Sequence, residues 1–250
     1  MSNAAPGFSD RTIRFLRALK RHNDREWFHA RRAEYDAHVH APMVAVIEQL
    51  AVDFAAAAPE FVASPTLSMF RPWRDTRFSA DKKPLKTHIA AVFPHRELGR
   101  LRGAGLYFEV TGEYVWIGGG VYAPETPALH ALRGHVAEHH RRLRRLLAAP
   151  PFTRTLGAMH GATLTRVPRG FDPSHPAADL LRHKQFLASR EEPAAFATRP
   201  DFYRELLRTF TAMVPFVRFL NEPLLALARE TARDPLVDRG TRGRFERVRR

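Results

Sequence analysis

The sequence predicts an α+β fold: a mainly antiparallel sheet of about five strands, with N-terminal and C-terminal helices packed on it. Three observations lead there. Apolar residues recur at helical spacing near both ends of the chain, the period falls toward two in the middle, and the middle segments are joined by short turns.

Ser9 or Asp10 can cap a first helix running to about Arg21, with Ile13, Leu16 and Leu19 inward. Asn23 or Asp24 caps a second, and Trp27, Phe28 and Tyr35 are aromatic anchors. Pro42 suits the first turn of a third helix whose inner face is Val46, Ile47, Leu50, Ala51 and Phe54. Strands are expected over 66–70 and 87–93, then over 106–110 and 114–117. The last two are separated by Thr111-Gly112-Glu113, where a glycine suits a bulged hairpin. Gly118-Gly119-Gly120 has no Lys-Ser/Thr after it and Pro124 follows soon, so it reads as flexible or closely approached backbone rather than a phosphate loop.

Residues 126–147 form a helix with Leu129, Leu132, Val136, Leu143 and Leu147 on one stripe. A strand over 163–167, a turn over 168–171, a helical turn over 177–183 and a further strand over 184–188 follow. Closing helices occupy 200–230, interrupted at Pro215 and Pro223.

With 250 residues and no internal repeat, one domain over 9–231 is expected, flanked by a disordered 1–8 and a basic tail over 232–250. Without an apolar run near the roughly 20 residues of a membrane span, and without a signal pattern, the chain is expected to be cytoplasmic with no membrane partner. The absence of cysteine excludes a disulfide framework, a thiol nucleophile and a thiolate metal site. The net charge of +14 suggests an anionic partner, yet residues 239–250 carry six Arg against one Glu, and 35 of the 40 cations are Arg, a skew that genome composition also produces. Oligomeric state is not legible.

The densest chemistry lies in residues 71–86: six cations, two carboxylates (Asp75 and Asp81) and two hydroxyls (Thr76 and Ser79), anchored by Trp73, Phe78 and Leu85 and stiffened by Pro72 and Pro84. Within it, Arg74-Asp75-Thr76-Arg77-Phe78-Ser79-x-Asp81-Lys82-x-Pro84-x-Lys86 resembles the signature of a bacterial and fungal family catalogued as a domain of unknown function. The likeness runs from Phe15 to about Leu227, through Asn23, Trp27-Phe28, a turn at Gly118-Gly119-Gly120, Arg133, Pro168-x-Gly170-Phe171 and Lys184. Leu85 stands where the family pattern implies an aromatic, which could stack on a ligand, and His22 where it implies a second Asn. The resemblance implies a fold and no activity.

Pairing of Arg74 and Arg77 with Asp75 accounts for part of the cluster, but six cations exceed two carboxylates by four. That surplus points to an anion pocket for a phosphate- or carboxylate-bearing small molecule, lined by Arg74, Arg77, Ser79, Lys82 and Lys86, with Arg133, Arg166 and Lys184 as residues that could converge on it. If the protein is an enzyme, Asp75 or Asp81 is the acid/base and the cations stabilise developing negative charge. Ser79 or Thr76 as nucleophile lacks a surrounding elbow motif and is otherwise a turn-capping or phosphate-contacting hydroxyl. Two other classes stay open: a nucleic-acid module using this loop, the 141–145 cluster and the Arg tail, and a non-catalytic interaction protein. His135-Val136-Ala137-Glu138-His139 matches an inverted zinc-protease pattern, but it runs into Arg141-Arg142, whose field opposes a dication, so no metal is expected; no cofactor is specified.

Overall fold

Four strands, β1 (His88–Phe93), β2 (Gly105–Thr111), β3 (Tyr114–Val121) and β4 (Phe186–Pro193), form an antiparallel sheet in the order β1-β2-β3-β4. A computed structural model describes residues 5–233 of the chain. The expected class is what it shows, with helices at both ends of the chain. Alternation along each strand sorts the two faces. Ile89, Ala91 and Phe93, then Leu106, Phe108 and Val110, then Val115, Ile117 and Val121, then Phe186 and Ala188 are all buried on the inner face. Tyr107, Glu109, Tyr114, Trp116, Leu187 and Glu191 take the alternate positions and face the other way.

The inner face is covered by helices whose starts obey their local signals. Helix α1 (Asp10–Arg21) opens with Ser9 and Thr12 in a capping box, and α2 (Arg25–Ala30) with Asp24 accepting from the Trp27 N–H at 2.7 Å. Asn23 does not cap; it is used elsewhere. A short helical turn and one π-turn lead into α3 (Ala41–Ala57), which buries Met43, Val46, Ile47, Leu50 and Phe54. The chain also packs earlier than expected, because Phe8 is buried edge-on to Phe202, so the body begins before residue 9. Residues 1–4 and the arginines of 239–250 lie outside the described residues.

Three expectations change. Residues 66–70 are not a strand: Pro65 after Ser64 starts a helical turn at Pro65–Ser68, leaving only a Met69–Ala91 bridge and the Phe70 N–H on the Ala90 carbonyl. The 163–167 strand reduces to a bridge between Thr163 and His183, bounded by Gly161 at φ +138° and by Pro168. The closing segment is one helix, from Phe202 to Arg233, which continues through Pro215 and Pro223. It buries Phe210, Met213, Phe216, Val217, Phe219, Leu220 and Leu224. At about 1.5–3 kcal/mol for each such side chain, this outweighs two proline penalties of ~3 kcal/mol each.

Two glycine sites also have physical reasons the sequence pattern did not separate. The glycines at 118–120 lie inside β3 rather than in a turn, and a Cβ on Gly120, at φ +121°, would sit 2.0 Å from the Phe186 carbonyl oxygen. Gly112 in the two-residue hairpin does not need positive φ; it is required because Arg17 lies on it, donating from Nε to its carbonyl at 2.7 Å.

Residues 32–57 and 202–232 are long and apolar enough to cross a bilayer by length and composition, contrary to the expectation from uninterrupted apolar runs. Here their apolar stripes pack in the one hydrophobic core. The helix Thr126–Ala148 carries the expected stripe, with Leu132, Val136 and Leu143 buried and a kink at His139.

Asn221, on the closing helix and 2% exposed, accepts from the Ala104 N–H at 2.8 Å and donates to the Ala104 carbonyl at 3.0 Å. Asn221→Ala leaves both buried backbone groups without partners, so we expect a loss of about 2–4 kcal/mol in chemical denaturation, whereas Val52→Ala on the exposed side of α3 changes stability little.

Candidate functional site

The 71–86 segment is an ordered hairpin-like excursion. Trp73 bridges Leu85, the Arg74 N–H donates to the Pro84 carbonyl and the Lys86 N–H to the Pro72 carbonyl, both at 2.8 Å. Asn23 fixes its return limb by the same device as Asn221, binding the Leu85 carbonyl at 2.9 Å and the Leu85 N–H at 3.0 Å. Leu85 is 1% exposed and belongs to the core, so the residue type at this position bears on packing and not on ligand stacking. His22 lies flat against Trp27, with ring centroids 5.7 Å apart.

At the tip, the cations are largely satisfied by the loop itself. Arg74 donates to Asp81 at 2.7 Å and to Ser79 Oγ at 3.4 Å, Arg77 grips Asp75 through Nε and Nη2, and Lys82 reaches the Thr76 carbonyl. The Arg77 hydrogen bonds hold the Asp75 carboxyl at about 2, and the Lys83 N–H and Arg74 lower that of Asp81, so both stay ionised near neutrality. Groups so far from neutral pKa are weak proton shuttles. Phe78 stands 96% exposed at the apex.

Arg133 and Lys184 come together elsewhere. Arg133, 8% exposed, donates from Nη2 to the carbonyl of His183, next to Lys184, and its buried Nε has no partner. Arg166 is exposed on the neighbouring segment, which is tied to this place through Leu164 N–H and the Arg182 carbonyl. All three flank the start of β4, where Phe186 pairs with Val121, whereas the 71–86 loop feeds the start of β1, where His88 pairs with Thr111. These are diagonal corners of the sheet, three strand spacings of about 4.8 Å apart and at opposite strand ends. The expected cluster is thus divided in two.

The concave site lies between those corners, on the sheet face that the helices leave uncovered. A cavity of about 680 Å³ is lined by Phe70, Tyr107, Tyr114, Trp116 and Tyr122, with Arg100, Glu109 and Glu191 as its charged groups and Gly103, Gly105, Gly119 and Gly120 at its floor and end. Phe70 and Trp116 both stand edge-on to Tyr107, at 6.0 and 5.6 Å. Glu109 accepts from the Tyr107 hydroxyl at 2.5 Å and the Tyr114 hydroxyl at 3.0 Å. Burial first, then the negative field of Glu109, raises both phenols, that of Tyr114 to about 12, so each remains a donor. His88 lies 3.9 Å from Glu109, and burial lowers its pKa, which leaves the imidazole neutral at pH 7.

Two cations approach Phe70: Arg100 with Cζ 4.4 Å from the ring centroid and Lys86 with Nζ at 4.9 Å. Although Arg100 as a residue is exposed, its guanidinium is held by the ring and by the Ser68 carbonyl at 2.9 Å, and desolvation lowers its pKa. Desolvation also lowers that of Lys86, with repulsion from Arg100 adding to it. Among the described residues neither cation has a carboxylate within 4.0 Å. Of the residues expected from sequence, only Lys86 belongs to this neighbourhood. The remainder were missed, although one signal was present: in Leu106-Tyr107-Phe108-Glu109-Val110 and Tyr114-Val115-Trp116-Ile117 the outward positions are aromatic or acidic throughout.

The zinc-like pattern resolves into a charge network. The His135 and His139 rings meet at 4.6 Å, but Glu222, 3.3 Å from His135 Nε2, is gripped by both terminal nitrogens of Arg142. Among the described residues no three His, Cys, Asp or Glu side chains gather into a metal-holding group.

Because Asp75 and Arg77 are both exposed, their pair is screened by water. Asp75→Ala and Arg77→Ala should therefore each leave the melting temperature within about 1 °C of the parent, measured by calorimetry.

Comparison with curated proteins and with solved structures gives no match. A family model described as "Conserved hypothetical protein (DUF2461)" matches residues 11–219, a span that contains the whole sheet, the 71–86 loop and every residue lining the cavity. With most of its length matched, the chain belongs to that conserved hypothetical family.

Proposed function

We propose that the protein binds a small molecule with a flat, apolar or aromatic body and an anionic group, phosphate or carboxylate, in the cavity on the open sheet face. One observation carries this reading: two cations, Arg100 in the lining of an aromatic cavity and Lys86 on the same Phe70 ring, are desolvated and mutually repulsive, with no carboxylate paired to either among the described residues. Unpaired charge held against apolar surface is costly, and an anion entering there relieves that cost while forming charge-assisted hydrogen bonds. The Tyr107, Trp116 and Phe70 rings supply the wall for the ligand body.

On this reading the anion site lies beside the charged loop rather than at its tip. Lys86 is shared by both descriptions; it donates to the Arg71 carbonyl at 3.0 Å, but unlike Arg74 and Arg77 it has no carboxylate partner among the described residues. Glu109 and Glu191 in the lining, and His88 beside Glu109, are groups that could move a proton, and the reading requires no chemical step from them.

Titration calorimetry with phenyl phosphate and para-tolylacetate tests it. Saturable binding is expected, weakened at least ~tenfold by Arg100→Ala, since a hydrogen bond to a charged group contributes about 1.5–3 kcal/mol, and unchanged by Arg77→Ala. Equal binding to the parent and Arg100→Ala, or no binding of either probe, overturns the proposal. A log-log salt slope of several units with single-stranded DNA that survives removal of residues 239–250 would favour nucleic acid instead.

A further inference from the structure

We infer that the ligand of this cavity is a zwitterion with well-separated charges, its ammonium group held at the Glu109–Glu191 end. The inference rests on the anion-binding reading of the Arg100 end and adds the chemistry of the other.

Glu109 and Glu191 lie on the same face, Glu109 opposite Trp116 on β2 and Glu191 opposite Trp116 on β4, so one indole stands between two carboxylates. Glu191 has no ion pair within 4.0 Å among the described residues. The basic neighbour of Glu109 is His88, 3.9 Å away and neutral at pH 7 through burial. Neither carboxylate therefore has a charged partner within 4.0 Å among the described residues, and the Tyr114 phenol, raised to about 12 partly by both carboxylates, feels their charge.

The two phenols use one acceptor site on each Glu109 oxygen. A carboxylate has about four such sites, so Glu109 can still receive hydrogen bonds from an ammonium with three donors. Trp116, Tyr107 and Tyr114 present aromatic surface around the same point, and aromatic faces attract cations through the ring quadrupole. Carboxylates combined with aromatic rings select an amine over a further apolar group.

The contacts between the two groups narrow the class. Arg100 Cζ lies 4.4 Å from the Phe70 ring centroid, that ring stands 6.0 Å from Tyr107, and the Tyr107 hydroxyl donates to Glu109, so two aromatic rings link the cation to the carboxylate. A ligand that meets both groups along these rings carries its charges at the two ends of a rigid apolar middle, as an ω-amino acid or an aminoalkyl phosphate does.

Three probes with a common body test this by calorimetry: para-(aminomethyl)phenylacetate, its acid-only counterpart para-tolylacetate and its amine-only counterpart para-methylbenzylamine. The zwitterion should bind at least ~tenfold tighter than para-tolylacetate, a difference of about 1.4 kcal/mol. Glu191→Gln, at an exposed position, should reduce the zwitterion's affinity severalfold while leaving para-tolylacetate's unchanged or slightly improved. If para-tolylacetate binds as tightly as the zwitterion, or Glu191→Gln weakens both equally, the inference falls and the anion-binding reading stands. If neither acid-bearing probe binds, both fall together.

Discussion

The segments that border the open sheet face depend on two asparagines that each read the backbone of a single residue in a neighbouring segment. Asn23 grips both polar groups of Leu85, and Asn221 grips both polar groups of Ala104. Leu85 immediately precedes Lys86, and Ala104 follows the turn that carries Arg100. An amide side chain matches the donor and acceptor of a peptide unit, so it does what a strand partner would do where no strand is available. Both cations of the proposed anion site are thereby positioned from the helical side of the molecule. Propensity and periodicity cannot place a segment that belongs to neither helix nor strand; these four hydrogen bonds do.

The same economy explains why the sheet face is open. Gly118, Gly119 and Gly120 occupy consecutive positions in β3, where Cβ atoms would collide with the Ala188 carbonyl oxygen, the Gly105 carbonyl oxygen and the Phe186 carbonyl oxygen. Their absence of side chains lets the neighbouring backbones close up. On the outer face it also removes the bulk that would fill the sheet's centre, so the Tyr107 and Trp116 rings border a space instead of covering it.

The architecture was legible where the periodicity was continuous: the N-terminal helices, β1, the β2–β3 hairpin and the long helix after Pro124 stand where their patterns indicate. Legibility failed where tertiary contacts outweighed a local rule. Proline signalled interruption at 215 and 223, but seven buried side chains hold the helix together. Arg190, Glu191 and Glu192 have weak strand propensity, yet β3 draws them into β4 through Ile117, Trp116 and Val115. At the site, charge density directed attention to residues 74–82, because composition counts charges without showing their partners. Lys86 was found for that reason, and Arg100 was missed because it stands with Arg96 and Arg102 in a short segment that carries no motif.

This contrast bears on how charge identifies function. A cluster such as Arg74, Asp75, Arg77 and Asp81 can form in solvent with little net energy, since water already stabilises each ion and the pairing replaces one good environment with another. Arg100 and Lys86 are different: each has given up part of its hydration to lie on Phe70, each is shifted away from its charged form by that loss, and neither has a carboxylate in compensation among the described residues. Folding tolerates such an arrangement at a cost of stability that the core supplies. For the same reason the net charge of +14 is a poor guide to the partner, since it counts exposed and paired cations together with desolvated ones such as Arg100 and Lys86.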